Sequence, residues 1–216
     1  MKTRGESNRL SRYFHVIFTA VISLLVSGCL LKTATIPPRH FVLAPIPTND
    51  LAAVPKERLS VGIGVMKMPS YLLVTSMALR NGANEIQYLE NALWAERLDQ
   101  CLQRTLAANL SRLLQTDNIY LNDWRHEKVM VRLFINVQQF DVDTHGHGWL
   151  IAQWQITAPD REFSVKSGCA RLDQTGAAPH GNPELISATL SQLAAQFSRE
   201  LAQAIRGAPV YGHASD

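Results

Sequence analysis

The residue types in this chain whose chemistry reads most directly are three cysteines, a close pair of histidines and four tryptophans. Cys29 ends the run Leu25-Val26-Ser27-Gly28-Cys29. Ser27 and Gly28 are small enough to fit a protease pocket, and Cys29 supplies the thiolate that diacylglyceryl transfer requires. His145-Gly146-His147, flanked by Asp141 and Asp143, offers two imidazoles to a metal. The spacing provides no third ligand, and Asp, Gly and His are frequent in hairpin turns for backbone reasons, so no metal site and no cofactor are expected. Cys101 and Cys169 read as two separate buried thiols acting as small hydrophobes. A disulfide between them needs Cα atoms about 4.4–6.8 Å apart, which sequence does not fix.

The chain lacks a Gly-x-Ser-x-Gly nucleophile elbow and a Gly-x-x-x-x-Gly-Lys phosphate loop. Neither acyl-transfer hydrolysis nor ATP hydrolysis is therefore expected, and the chain reads as a non-enzyme. Gly62-Ile63-Gly64 is half a dinucleotide fingerprint inside a strand pattern, which suits a bulge or a close-packing position. Trp154 falls on the inward set of its strand, Trp149 on the opposite face near a hairpin, and Trp124 in a loop; each of the last two is an edge residue or a partner anchor.

The N-terminus carries Lys2, Arg4, Arg9 and Arg12 before an apolar run from Val16 to Val26. That run is too short to span a bilayer, which takes ~20 residues, so it reads as a targeting segment. With Cys29 after it, the pattern resembles the bacterial lipobox, whose processing leaves the cysteine as an acylated first residue. Several acyl chains, each gaining ~0.8 kcal/mol per buried methylene, hold a protein on a membrane where a single chain does not. Leu30 in place of Asp resembles lipoproteins sorted to the outer membrane, so the expected location is the outer membrane, lipid-anchored and facing the periplasm. Removing residues 1–28 takes four Lys/Arg and one Glu from 21 basic and 18 acidic residues, leaving 17 of each. A neutral mature chain does not suit nucleic acid, which requires clustered Lys/Arg to displace counterions.

These residues are positioned by a chain read as one domain on a tether. Residues 29–40 carry Thr33, Thr35, Pro37 and Pro38 and stay extended, with a reach of roughly 30 Å for ten residues. The expected boundaries are 1–28 signal peptide, 29–40 lipidated cysteine and tether, 41–207 folded domain and 208–216 tail. Leu98, Leu102, Leu106, Leu110 and Leu113 recur at helical steps, as do Ile186, Leu190, Leu193, Phe197, Leu201 and Ile205, the second set opened by Asn182-Pro183 and closed by Gly207. Between them the period is two: Val129 to Val137, a turn over Asp143–Gly148, Leu150 to Ile156, then Glu162 to Leu172. Phe41–Leu43, Leu59–Met66 and Ile86–Leu89 are shorter strand candidates. The resulting expectation is an α+β two-layer domain, a mainly antiparallel sheet with helices Ala95–Leu114 and Pro183–Ile205 on one face.

Pro69-Ser70-Tyr71-Leu72, then Asn91-Ala92-Leu93-Trp94-Ala95-Glu96-Arg97-Leu98-Asp99 running into Leu106-Ala107-Ala108-Asn109-Leu110, resembles the PqiC family, as do Val137-x-x-Phe140 and Gly148–Trp154. The likeness runs from Phe41 through the last helix. Those proteins are auxiliary lipoproteins of ABC-type transport systems with MCE proteins. The resemblance implies a non-catalytic subunit serving the outer-membrane end of an intermembrane lipid transport system that maintains envelope integrity. Its partners would be a periplasmic MCE-domain protein and an inner-membrane transport subunit, and it would form a ring-shaped homo-oligomer. The alternative is a stand-alone lipoprotein that binds a lipid or apolar ligand between helices and sheet. Trp94 reads either as packing the start of the first helix against the sheet or as joining Pro69 and Tyr71 in an exposed partner or lipid patch.

Overall fold

A computed structural model describes residues 37–47, 59–122, 129–159 and 164–208, so Cys29 and Trp124 lie outside the described residues. In chain order the elements are β1 (Arg39–Phe41), β2 (Val61–Ile63), a 3-10 turn (Ser70–Leu72), β3 (Ser76–Asn81), β4 (Glu85–Trp94), α1 (Leu98–Leu114), β5 (Ile119–Leu121), β6 (Val131–Asp143), β7 (His147–Thr157), β8 (Ser164–Thr175) and α2 (Pro183–Arg206). None of the described helices is long and apolar enough to cross a membrane.

The alternation in β6 organises the sheet. Val131, Leu133, Ile135 and Val137 are buried, and Phe134, Asn136 and Gln138 point away. β6 pairs antiparallel with β7, and β7 with β8, in the two longest ladders. The other edge of β6 is shared. β2 runs parallel to its first residues, Lys67 bridges Asn136 in its middle, and β3 runs parallel to its last residues. β4 then pairs antiparallel with β3, β1 parallel with β4, and β5 parallel with β2. The sheet of eight strands is thus mixed, with antiparallel pairing in the longest ladders.

Both helices cover one face. α2 lies over β6, β7 and β8, and α1 packs beside it and against β5. Ile186, Leu190, Leu193, Phe197, Leu201 and Ile205 are buried on α2; Leu98, Leu102, Leu106, Leu110 and Leu114 are buried on α1. Asn182 caps α2 as the sequence suggests, its side chain accepting from Glu184 N at 3.2 Å. α1 begins at Leu98 rather than Ala95 because β4 runs to Trp94 and Ala95 is still bonded to β1. Trp94 N donates to Thr75 O at 2.8 Å and Ala95 N to Phe41 O at 2.9 Å.

Cys101 and Cys169 are both free. Cys101 is buried as expected, its sulfur accepting from Leu43 N at 3.2 Å, and burial pushes its thiol above the ordinary value. Cys169 corrects the expectation of a second buried thiol. It is exposed, because its register partner Gln153 lies on the face that carries no helix.

The residues expected to continue the first strand instead form a strap. β1 ends at Phe41, and Val42–Ile46 runs between the two helices with no regular structure of its own. A backbone without ladder partners must bond elsewhere when buried. Here helix side chains supply the bonds: Leu43 O accepts from Thr105 Oγ1, Ala44 N donates to Ser191 Oγ, Ile46 N donates to Asn109 Oδ1 at 2.8 Å, and Ile46 O accepts from Arg112. Asn109 is fully buried and also donates to Ser198 Oγ on α2 at 2.9 Å, so one side chain holds the strap and both helices. Asn109→Ala leaves Ile46 N without a partner and removes the donor to Ser198 Oγ, which keeps its own bond to Ala194 O, and is expected to lower unfolding free energy by about 2–3 kcal/mol in urea melts. A loss under about 0.5 kcal/mol would show that the strap is not held this way.

Candidate functional site on the helix-free face

The helix-free face owes its arrangement to one extra residue in β6. The register shifts between Val137 and Gln139, so the residues facing the helices change from odd to even numbers, and Phe140 and Val142 follow Ile135 and Val137 into the core. Gln139 and Asp141 are thereby turned to the other face. Without the bulge, Asp141 would point into the helix layer.

On the helix-free face Asp141 is covered by the 3-10 turn. Its side chain has 0% exposure and lies against Arg80 of β3, whose side chain is 21% exposed. Oδ2 accepts from Arg80 Nη2 at 2.6 Å and Tyr71 OH at 2.7 Å, and Oδ1 from Arg80 Nε at 3.1 Å and Gln139 Nε2 at 2.9 Å. A buried carboxylate is stable only with such complete satisfaction. The hydrogen bond to Asp141 holds the Arg80 guanidinium above its ordinary value, and burial, then the bond to and charge of Asp141, push the Tyr71 phenol well up. Tyr88 OH donates to Tyr71 O at 3.1 Å, fixing the turn against β4 as well.

Two shallow grooves flank this cluster. The larger, about 710 Å³, is lined by Val65 and Lys67 on one side and by β6, β7 and β8 beneath, including Phe134, Gln155 and Cys169. The smaller, about 460 Å³, lies between Arg80, Gln139, Asp143, His145 and Trp149. The helix–sheet interface, by contrast, is filled with fully buried side chains including Phe140, Phe197, Leu102, Leu106 and Leu150.

The structure separates the residues that the sequence grouped. Tyr71 and Pro69 sit together in and before the 3-10 turn, both half-buried. Trp94 does not join them: it is 3% exposed and belongs to the core, so burial removes it from any exposed patch. Its position supports the packing role instead. Trp154 is inward as expected and donates from Nε1 to Glu200 Oε1 on α2 at 3.0 Å. The two histidines serve different carboxylates, His145 at 3.8 Å from Asp143 and His147 at 3.8 Å from Asp173. Among the described residues no three His, Cys, Asp or Glu converge on a metal-sized site. Gly62 lies within β2, and Gly64 just beyond it, where its carbonyl accepts from Gln103 Nε2 at 2.8 Å. The residues that sequence reasoning missed are Arg80, Gln139 and the role of Asp141, which was read only as a neighbour of the histidines. The available signal was an acid placed within an apolar strand pattern.

The family model described as ABC-type transport auxiliary lipoprotein component matches residues 41–202. No curated protein matches the chain. Two crystal structures share the fold. One, of an uncharacterized protein, is 20% identical with a TM-score of 0.64, covering 79% of this chain and 99% of its own. The other, a Xanthomonas campestris protein assigned to DUF330, is 17% identical with a TM-score of 0.60, covering 81% of this chain and 97% of its own.

Two outcomes follow from the Asp141 cluster. Asp141→Ala strands the Arg80 charge and two further donors, and is expected to cost about 3 kcal/mol or more in urea unfolding; a neutral result would mean the cluster is replaceable by solvent. The second concerns alkaline pH. An unfolded tyrosine loses its proton near pH 10, whereas the raised Tyr71 phenol keeps its own in the native state. The native state then binds more protons, so this contribution is complete below pH about 10 and is lost as pH rises further. Tyr71→Phe should flatten the fall in stability above that pH, and an unchanged slope would contradict the assignment.

Proposed function

This chain belongs to the family of ABC-type transport auxiliary lipoprotein components, and from that premise we propose that it is the outer-membrane-anchored, periplasmic docking subunit of an MCE-type intermembrane lipid transport system. The family is one of transport components rather than enzymes. Cys29 is the lipidated residue in this reading, and the tether is the stretch expected over residues 29–40, less Arg39 and His40, which pair with β4 in β1.

The observation that supports the proposal is the way the chain enters the fold after Pro38. Beyond Pro37 and Pro38 it enters β1 at Arg39, where Arg39 Nη2 lies 3.3 Å from Glu184 at the start of α2, and continues into the strap bonded to α1 and α2. A load from a membrane anchor would thus reach both helices and the sheet at once, which suits a component whose work is to hold a position. Function then resides in surfaces and location rather than in an active centre.

The partners in this reading are a periplasmic MCE-domain protein and an inner-membrane transport subunit, with the chain assembling as a homo-oligomeric ring. Pro69 and Tyr71 are retained as contact residues, because both border the helix-free face. The stand-alone lipid-binding alternative loses its expected site, since the space between helices and sheet is filled by core side chains.

Cys29→Ala is expected to give a folded protein that leaves the membrane fraction and fails to complement a deletion strain. Affinity purification of the lipidated protein from gently solubilised envelopes should recover an MCE-domain protein, and the variant should recover less. Full complementation by Cys29→Ala, or recovery of stoichiometric lipid with no protein partner, would overturn the proposal.

A further inference from the structure

The larger groove has a composition that the docking role does not use. Its floor is two rows of side chains that cross the strands on the helix-free face. One row is Lys67, Asn136, Gln153 and Cys169, each opposite the next in the register of the sheet. The adjacent row is Phe134, Gln155 and Ser167. At about 4.8 Å between strands, the first row spans roughly 14 Å. Val65 and Lys67 form one wall, held by backbone bonds from Gly64 N to Leu133 O, Lys67 N to Ile135 O and Val137 N to Lys67 O.

The chemistry along these rows is specific. The centre is uncharged and polar, three carboxamides and a hydroxyl, none of which has a side-chain hydrogen bond to another described residue. Phe134 presents an aromatic ring at 42% exposure, and Val65 is 74% exposed. Lys67 stands at one flank without a described carboxylate partner. Arg132 stands one row further along β6, opposite Thr157 and beyond the residues that line the groove, with its Nε buried and without a hydrogen-bond partner among the described residues. No Asp or Glu lines the groove.

An acyl chain fits this surface poorly, because covering the amides of Asn136, Gln153 and Gln155 with methylenes strips their water and costs about 1–3 kcal/mol for each group. A partner strand adding to the sheet would pair with the edge of β8, which no described strand covers, and run along the strands, whereas the rows run across them. A hydroxyl-rich chain with acidic groups fits each part. Its hydroxyls can donate to and accept from carboxamides, its anionic groups can meet Lys67, the one charged residue among the described residues that line the groove, and the C–H face of a ring can lie on Phe134. The volume is that of a small-ligand site, with a few placed polar groups fixing orientation. We infer that this groove binds an acidic saccharide, one bearing carboxylate or phosphate groups, laid across β6, β7 and β8. The inference stands apart from the docking role and does not depend on it. Two sources share this chemistry, a free cell-wall glycan strand and the headgroup of a phosphorylated glycolipid.

Cys169 closes one row, so its thiol reports occupancy. The test measures the alkylation rate of Cys169 by mass spectrometry in the full lipidated protein held in detergent micelles. Hexagalacturonate is expected to slow alkylation roughly tenfold at about 1 mM, while maltohexaose, neutral and of equal length, leaves it unchanged. Lys67→Glu, at an exposed position, should abolish that protection without shifting the melting temperature, and Gln153→Leu should weaken it. Soluble wall glycan strands and micelles of a phosphorylated glycolipid, run as separate arms, identify the source: protection by either supports the site and names its ligand. Lack of protection by hexagalacturonate, equal protection by maltohexaose, or protection by only phosphatidylglycerol micelles or an acidic peptide would overturn it. So would alkylation that slows with protein concentration alone, since a second copy would then cover the groove.

Discussion

A carboxylate with no exposed surface must have its lone pairs filled by donors, and around Asp141 that requirement ties distant parts of the chain together. Its donors come from β3, the 3-10 turn and β6 itself. β3 meets β6 in only two register pairs, Leu79↔Val142 and Arg80↔Asp143. So short a parallel ladder contributes little by itself, and the charge cluster adjoining it joins the β1–β4–β3 part of the sheet to the β6–β7–β8 part. The same cluster explains the bulge. An even alternation through β6 would send Asp141 into a layer of leucines, and the inserted residue turns it to the face where Arg80 and Tyr71 can reach it.

How legible this was in the sequence depended on whether a pattern was local. Both helices and the β6–β7 hairpin could be read because their burial follows a single period against one large apolar surface. Of the β3–β4 hairpin only Ile86–Leu89, inside β4, could. Its turn at Gly82 has a φ of +73°, but β4 is exposed over most of its length, so its sequence carries little alternation. Only Ala92 and Trp94 at its end are buried. The first strand was placed two residues late because Leu43 looks like a strand residue, yet its partners are helix side chains rather than a neighbouring strand. The Asp141 cluster joins residues 61 and 70 positions apart, and no short motif encodes such a meeting. The exposure of Cys169 turned on register, which a one-residue change reverses.

The two faces of the sheet have been given different tasks by composition. Toward the helices, aliphatic and aromatic side chains fill the space, and Gly168 has no room for a larger residue, since a Cβ there would lie 2.4 Å from the ring of Trp154. Away from the helices, carboxamides, hydroxyls and a few exposed apolar groups line grooves above a floor held rigid by long antiparallel ladders. A rigid floor with varied side chains is a suitable base for recognition, since little ordering is needed on binding.

The strap makes this division consequential. A groove between two helices is itself a common docking place for an extended segment, and here the chain's own residues 42–46 fill it, with backbone groups matched by Thr105, Asn109, Arg112 and Ser191. A partner competing for that groove would have to displace several buried hydrogen bonds and the side chains of Leu43 and Ile46, 1% and 3% exposed. The helix side is therefore occupied by residues 42–46, whereas the helix-free side, bordered by Tyr71 and floored by β6 to β8, is open over its polar rows. One sheet thus has a face closed by its own chain and a face left open, and contact at the open face leaves the buried hydrogen bonds of the strap undisturbed.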